Sequence, residues 1–430
     1  MRIRPLVLFL CIPAAVFAQS GVNTGDTAWV LISSALVMFM TVPALAFFYG
    51  GLVKRKNILN VLMQCFVSLA AISLLWVIVG YALAFGPDEL IPGVLGGLSW
   101  AFLKGVSVVP SELYATTVPH LAFMIFQGMF AVITPALIIG AFAERMKFST
   151  FLLFSVLWTL LIYCPVAHWM WATNGWLSKL GAVDFAGGIV VHINAGVAAL
   201  VTAIIIGKRN YLKPTPPHNL AFTMLGAAML WFGWFGFNAG SALSANGIAA
   251  NAFVVTNTSA AAATMVWLVL DWLLVKRPTT LGSATGAIAG LAAITPAAGF
   301  VDMPAAIIIG SVASALCYIM VVYVKPKFGY DDALDAFGVH GIGGIWGTIA
   351  VGLFANPEVQ ANYTGLVFGS TKLFSAQIIA AAVVTAYAFI VTFVLYKVLD
   401  LILHVRVNEK EEAMGLDITQ HNERGYTVVE

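Results

Sequence analysis

Apolar positions in this chain do not alternate with polar ones at the spacing of a surface helix. They run nearly unbroken for about twenty residues, stop at a short polar connection, and start again. The longer runs match the length of helix that a bilayer core requires, and the shorter ones are interrupted by Gly or Pro. The pattern predicts helices over residues 28–50, 58–85, 118–142, 148–171, 186–206, 220–240, 247–275, 281–298, 304–324, 338–355 and 373–399. The expected fold class is therefore an all-α polytopic membrane protein with eleven transmembrane helices.

Composition agrees and removes the soluble alternatives. The chain is 61% hydrophobic and 9% charged, with a mean hydropathy of +0.94. Soluble domains carry about 25% charged residues, so there is too little polar surface here for water. Cys11, Cys65, Cys164 and Cys317 stand singly in apolar runs, without metal-type spacing, and read as small core residues.

The first residues differ in kind. Arg2 and Arg4 precede the short apolar run Leu6 to Phe17, which ends in Val16-Phe17-Ala18. A basic start, a short apolar stretch and a small-residue site describe a secretory signal peptide over 1–18. Its cleavage would leave the mature N-terminus outside; the alternative is an uncleaved extra span. Residues 19–400 then form one membrane domain, and 401–430 a cytoplasmic tail.

Charge sets orientation. Beyond Arg4, every lysine and arginine except Lys104, Lys179 and Lys372 falls on one side of the predicted spans. That side is cytoplasmic by the positive-inside rule. Because the fifth and tenth helices run in opposite directions, helices 1–5 and 6–10 are expected to form an inverted pseudo-two-fold repeat, with the site at their interface. The last helix is an extra.

Two histidines lie inside apolar stretches rich in glycine: His192, after Asp184-Phe-Ala-Gly-Gly, and His340, in Asp335-Ala-Phe-Gly-Val-His-Gly. An ionisable group in lipid is costly and marks a path through the protein. A single such histidine has an equally good reading as a hydrogen-bonded structural group, whereas matching positions in two halves favour a pore. Asp184 and Asp335 each precede a helix and are expected to cap it structurally. Glu144 with Arg145 reads as a solvated pair. Aromatic clusters at Phe126–Phe130, Trp169–Trp171 and Trp234–Phe237 fit either an interfacial belt or rings around a cation vestibule, and the residues alone leave both open.

Several stretches carry a likeness. Phe47-Phe-Tyr-Gly-Gly-Leu, Phe126-Gln-Gly-Met-Phe130, Gly140-Ala-Phe-Ala-Glu-Arg, the run Asp184 to Gly196, Gly233-Trp-Phe-Gly-Phe-Asn-Ala-Gly-Ser241, Ile294-Thr-Pro-Ala-Ala-Gly299 and Phe337-Gly-Val-His-Gly341 resemble the bacterial ammonium transporters of the Amt/MEP/Rh family, in order and over nearly the whole chain. The resemblance implies a homotrimer with one pore per subunit in the bacterial inner membrane, serving nitrogen metabolism. It implies an ammonium-binding site at Phe130, Trp171 and Ser241, a gate at Phe130 and Phe237, and pore imidazoles at His192 and His340. Ammonium, or methylammonium as its analogue, would bind outside, lose a proton and cross as ammonia, with or without the proton. Met129 and Ile189 stand where the family has small or hydroxyl residues, and Met129 is expected to narrow the vestibule. Gly415 to Tyr426 resembles the family's cytoplasmic tail, whose face meets a PII-type signal protein; the alternative is a tail packed only on its own subunit.

Other classes fit less well. A membrane enzyme would need a nucleophile or metal set, and no H-E-x-x-H or similar pattern occurs. No cofactor, metal or nucleic-acid partner is expected; membrane lipids are.

Overall fold

The computed structural model describes residues 21–210 and 216–426. The expected signal peptide over 1–18 lies outside the described residues. Among the described residues, ten helices are long and apolar enough to cross a membrane, and an eleventh is shorter. They are α1 (Thr24–Leu52), α2 (Arg55–Phe85), α3 (His120–Phe142), α4 (Phe148–Leu180, turning at 172–175), α5 (Gly188–Ile206), α6 (Leu220–Ala242), α7 (Gly247–Leu274), α8 (Thr280–Ile294), α9 (Met303–Phe328), α10 (Phe337–Phe354) and α11 (Thr371–Leu403). The order matches the hydrophobic pattern. Among the differences, α4 runs past the expected Trp171 to Leu180, and α8 ends four residues before the expected Ala298, because Pro296 cannot continue the helical hydrogen bonding.

Between α2 and α3 the chain makes two small hairpins. In them β1 (Glu89–Ile91) pairs with β2 (Leu95–Gly96), and β3 (Pro110–Ser111) with β4 (Ala115–Pro119). They lie at the end of the bundle where α5 begins. Cys65, Cys164 and Cys317 are buried and form no disulfide among the described residues; Cys11 lies outside them.

The inverted repeat is visible in how α5 and α10 meet. The first turn of each packs against the body of the other, the relation a two-fold axis produces. Glycines permit it. A Cβ on Gly196 would stand 2.1 Å from the Gly341 nitrogen, and one on Gly344 would stand 2.9 Å from the Gly188 oxygen. Only backbone without side chain fits at either crossing.

At the opposite end, the basic residues form a connected face. Here the expectation of a solvated Glu144–Arg145 pair fails: both residues are buried, and they are not paired with each other. Arg145 lies 3.5 Å from Asp331 and donates to the Gly207 and Asp331 carbonyls at 2.6 and 2.8 Å. Arg209 bridges Asp331 at 2.8 Å and Glu144 at 2.9 Å, and Asn57 donates to Glu144 at 2.7 Å. Buried charges persist only with such partners.

The tail lies along this face. Val407 N donates to the Arg145 carbonyl, and Arg406 pairs with Glu412 at 2.9 Å. The short helices α12 (Glu409–Met414) and α13 (Leu416–His421) follow. Leu416 N donates to Asn57 at 2.8 Å, and Asn60 N donates to the Asp417 carboxylate at 2.9 Å.

Candidate functional site

A helix start leaves several amide N–H groups without partners. At α5 a single buried carboxylate takes four of them. Asp184 Oδ1 accepts from Gly187 and Gly188 at 2.8 and 2.7 Å, and Oδ2 accepts from Ile189 and Val190 at 2.7 and 3.0 Å. Gly187, at φ +111°, makes the turn that brings the chain around the carboxylate.

The first turn of α5 is wide: His192 N donates to the Gly187 carbonyl five residues back, at 2.9 Å. The first turn of α10, Phe337–Gly341, is widened in the same way and carries His340. Widened turns of this kind recur at functional positions in helices. Here they place the two imidazoles face to face, with centroids 5.2 Å apart and planes 17° from parallel.

The expectation that Asp335 caps α10 is incorrect. Asp332 does so, accepting from Ala336 at 3.1 Å and Phe337 at 2.8 Å. Asp335 instead pairs with Lys325. Burial pushes the Asp332 carboxyl up to about 6, and the neighbouring Asp335 charge adds to the rise. Lys325 and the two amide bonds oppose it.

Above the imidazoles the rings form a file. His192 stacks on Phe237 at 6.0 Å and on Trp234 at 5.5 Å. Phe237 meets Phe130 at 4.4 Å, and Phe130 meets Trp171 edge-on at 5.8 Å. Trp171 is held by donating its indole N–H to the Asp184 carbonyl at 2.9 Å, so the cap of α5 also fixes the outermost ring. Ser241 donates to the Phe237 carbonyl at 2.9 Å, which leaves its oxygen lone pairs facing the cavity. Trp171, Phe130, Phe237, His192 and His340 thus form one chain of ring contacts.

Two spaces bracket the file. Gln127, Phe130, Trp171, Asp184 and Ser241 line an open vestibule of roughly 320 Å³. Met129 is not among its lining residues, so the vestibule is not narrowed there. Below Phe237 lies a far smaller cavity of about 10 Å³, lined by both histidines, Trp234 and aliphatic side chains such as Ile133, Val191 and Ile288. That volume admits about one water-sized molecule. His192 Nδ1 and Nε2, and His340 Nδ1, are buried without a hydrogen-bond partner among the described residues. Buried polar atoms are normally paired, so three unpaired nitrogens around one small cavity point to a passing ligand.

The aromatic alternatives now separate. Trp171 lines the vestibule, whereas Trp169 donates to the Val94 carbonyl at 3.0 Å and packs on Trp176 and Tyr387. His168 is fully engaged as well, with Ala84 and Glu89. Trp234, which the sequence offers only as part of an aromatic cluster, lines the cavity beside His192, and its i, i+3 spacing from Phe237 puts both rings on one helix face.

The sequence matches the Ammonium Transporter Family over residues 28–426. It is 55% identical over 403 residues to the ammonium transporter of Bacillus subtilis, covering 94% of this chain and 98% of that one. It is 52% identical to the ammonium transporter Amt1 of Archaeoglobus fulgidus, covering 94% and 100%. Among solved structures, Saccharomyces cerevisiae Mep2 superposes with a TM-score of 0.85 at 34% identity, covering 91% of this chain and 89% of that one.

Proposed function

This chain belongs to the ammonium transporter family and is a multi-pass membrane transporter, not an enzyme. From that premise we propose that it recruits ammonium at the aromatic vestibule, strips one proton and conducts ammonia past His192 and His340. The observation that carries this reading is the contrast between the two spaces. A roomy aromatic vestibule fits a cation, and the mostly apolar, one-molecule cavity beneath it fits only a neutral solute.

Magnitudes decide between ion and amine. Moving a bare ion into a dry medium costs tens of kcal/mol by Born estimates. Two or three aromatic contacts return about 4–6 kcal/mol at most. An ammonium ion with an amine-like pKa near 10 loses its proton at pH 7 for about 4 kcal/mol. Deprotonation is the cheaper route by a wide margin. Potassium has no proton to lose, so it stops at the vestibule.

In this reading Phe130 and Trp171 present ring faces to the cation, and the Ser241 oxygen accepts from one of its N–H groups. The contact of Phe130 with Phe237 shuts out hydrated ions. Each imidazole below has one donor and one acceptor nitrogen, so it can donate to the ammonia lone pair or accept from an ammonia N–H. Asp184 holds this arrangement in place and has no capacity left for the substrate.

The assembly is a homotrimer in a bacterial plasma membrane, vestibule outward and tail inward, with a PII-type protein docking on the tail face. Co-purification of a co-expressed PII protein under nitrogen-replete conditions is the expected outcome. If it never co-purifies in any nucleotide state, the tail serves its own subunit alone. The transport reading is tested in liposomes by recording current and methylammonium uptake together. Uptake that saturates and excludes potassium is expected; equal potassium flux would overturn the reading.

A further inference from the structure

Beside the vestibule lies a second chamber of about 400 Å³. The two spaces adjoin: Ser178, Asp184, Phe185 and Ser241 line both. The wall away from Phe130 is aromatic. Phe185 meets Phe300 edge-on at 5.7 Å, and Phe300 meets Tyr363 at 4.8 Å. Each chamber alone is as large as a small organic ligand's site and far larger than ammonium requires.

This wall is built, not incidental. Gly299 closes the Ile294–Gly299 motif, and a Cβ there would stand 2.1 Å from the Phe185 ring. Gln360 donates to the Gly299 carbonyl at 2.8 Å, and Asn356 N donates to the Phe300 carbonyl at 2.8 Å, tying the connection after α10 to the turn after α8. The transport steps above use none of these contacts. Among the described residues no lysine or arginine lines either chamber, and the Asp184 carboxylate lies between them.

Three rings, a carboxylate and no opposing cation are the surroundings that hold an alkylated ammonium group. We propose that this second chamber binds tri- and tetramethylated ammonium groups. Such ions are too wide for the gap between Phe130 and Phe237, and a tetramethylated one has no N–H proton to lose. Bound there, beside Ser241, they obstruct the path of ammonium to Trp171 and block transport. The inference rests on reading the vestibule as a cation site and adds a second, larger-ligand lobe to it.

Tetramethylammonium chloride is the probe. In proteoliposomes it should inhibit methylammonium uptake, and calorimetry on the detergent-solubilised protein should detect its binding. Tyr363→Leu should raise the blocking concentration about three- to tenfold while the half-saturation concentration for methylammonium stays within about twofold. Tyr363→Phe, which keeps the ring, should retain the block. Trp171→Leu should show the reverse pattern, weakening methylammonium more than the blocker, and so reports on the first lobe separately. Absence of binding at millimolar probe, or a block that Trp171→Leu shifts and Tyr363→Leu does not, would overturn the second lobe and leave the transport reading standing.

Discussion

The starts of α5 and α10 are built on one plan and finished differently. Each opens with a widened turn, carries a histidine in it, and crosses the other helix at a glycine. At α5, one carboxylate satisfies four amides and leaves nothing over. At α10, Asp332 takes two amides and shares its surroundings with Asp335 and Lys325. The α5 end faces an aromatic vestibule; the α10 end faces a network of arginine, lysine and carboxylate. A repeated backbone can therefore carry a symmetric pair of imidazoles while its two mouths have different electrostatics. Only the α5 mouth offers rings to a cation without a fixed positive charge beside them.

The largest expected effect falls on the caps. Asp184→Ala would leave four amides unpaired at about 1–3 kcal/mol each, enough to prevent folding of a marginally stable protein. Asp332→Ala frees two and also relieves the crowding with Asp335, so its loss should be much smaller. Thermal midpoints in detergent check this, and equal losses at the two positions would break the comparison.

Next come the crossings. Gly196→Ala forces a Cβ against the Gly341 backbone and should abolish folded protein. Gly343→Ala meets nothing closer than the Ala292 Cβ at 3.5 Å and should be tolerated. Size-exclusion profiles of the two variants separate a close backbone approach from glycine that merely lines the helix.

Smaller again is the effect at the vestibule. Trp171→Leu removes a ring while keeping bulk, and Ser241→Ala removes one acceptor oxygen. Each should raise the half-saturation concentration for methylammonium by a few-fold to about tenfold. Unchanged values in both variants would remove the vestibule's claim to the cation.

The span order and the histidine pair were legible in the sequence, since twenty-residue apolar runs and an intramembrane ionisable group have few physical explanations; the line of aromatic residues was reached only through the family resemblance. The charge partners were not. Glu144 and Arg145 are adjacent, which suggests a solvated pair, but their partners Arg209 and Asp331 come from distant segments. Asp331, Asp332 and Asp335 fall within five positions, and only the path of the chain shows which of them reaches the amides of α10. The second aromatic chamber was hidden for the same reason: Phe185, Phe300 and Tyr363 belong to three separate connections.

The central claim is that an apolar passage with paired imidazoles admits ammonia and excludes ions. Replacing both His192 and His340 by Ala leaves the vestibule intact and removes both ionisable side chains that line the cavity below it. Ammonium-driven current and potassium flux, measured per folded protein in the same liposomes, test the claim most directly. The account predicts that ammonium current falls strongly in the double variant while the protein remains folded. Full ammonium current with full potassium exclusion in that variant would contradict it.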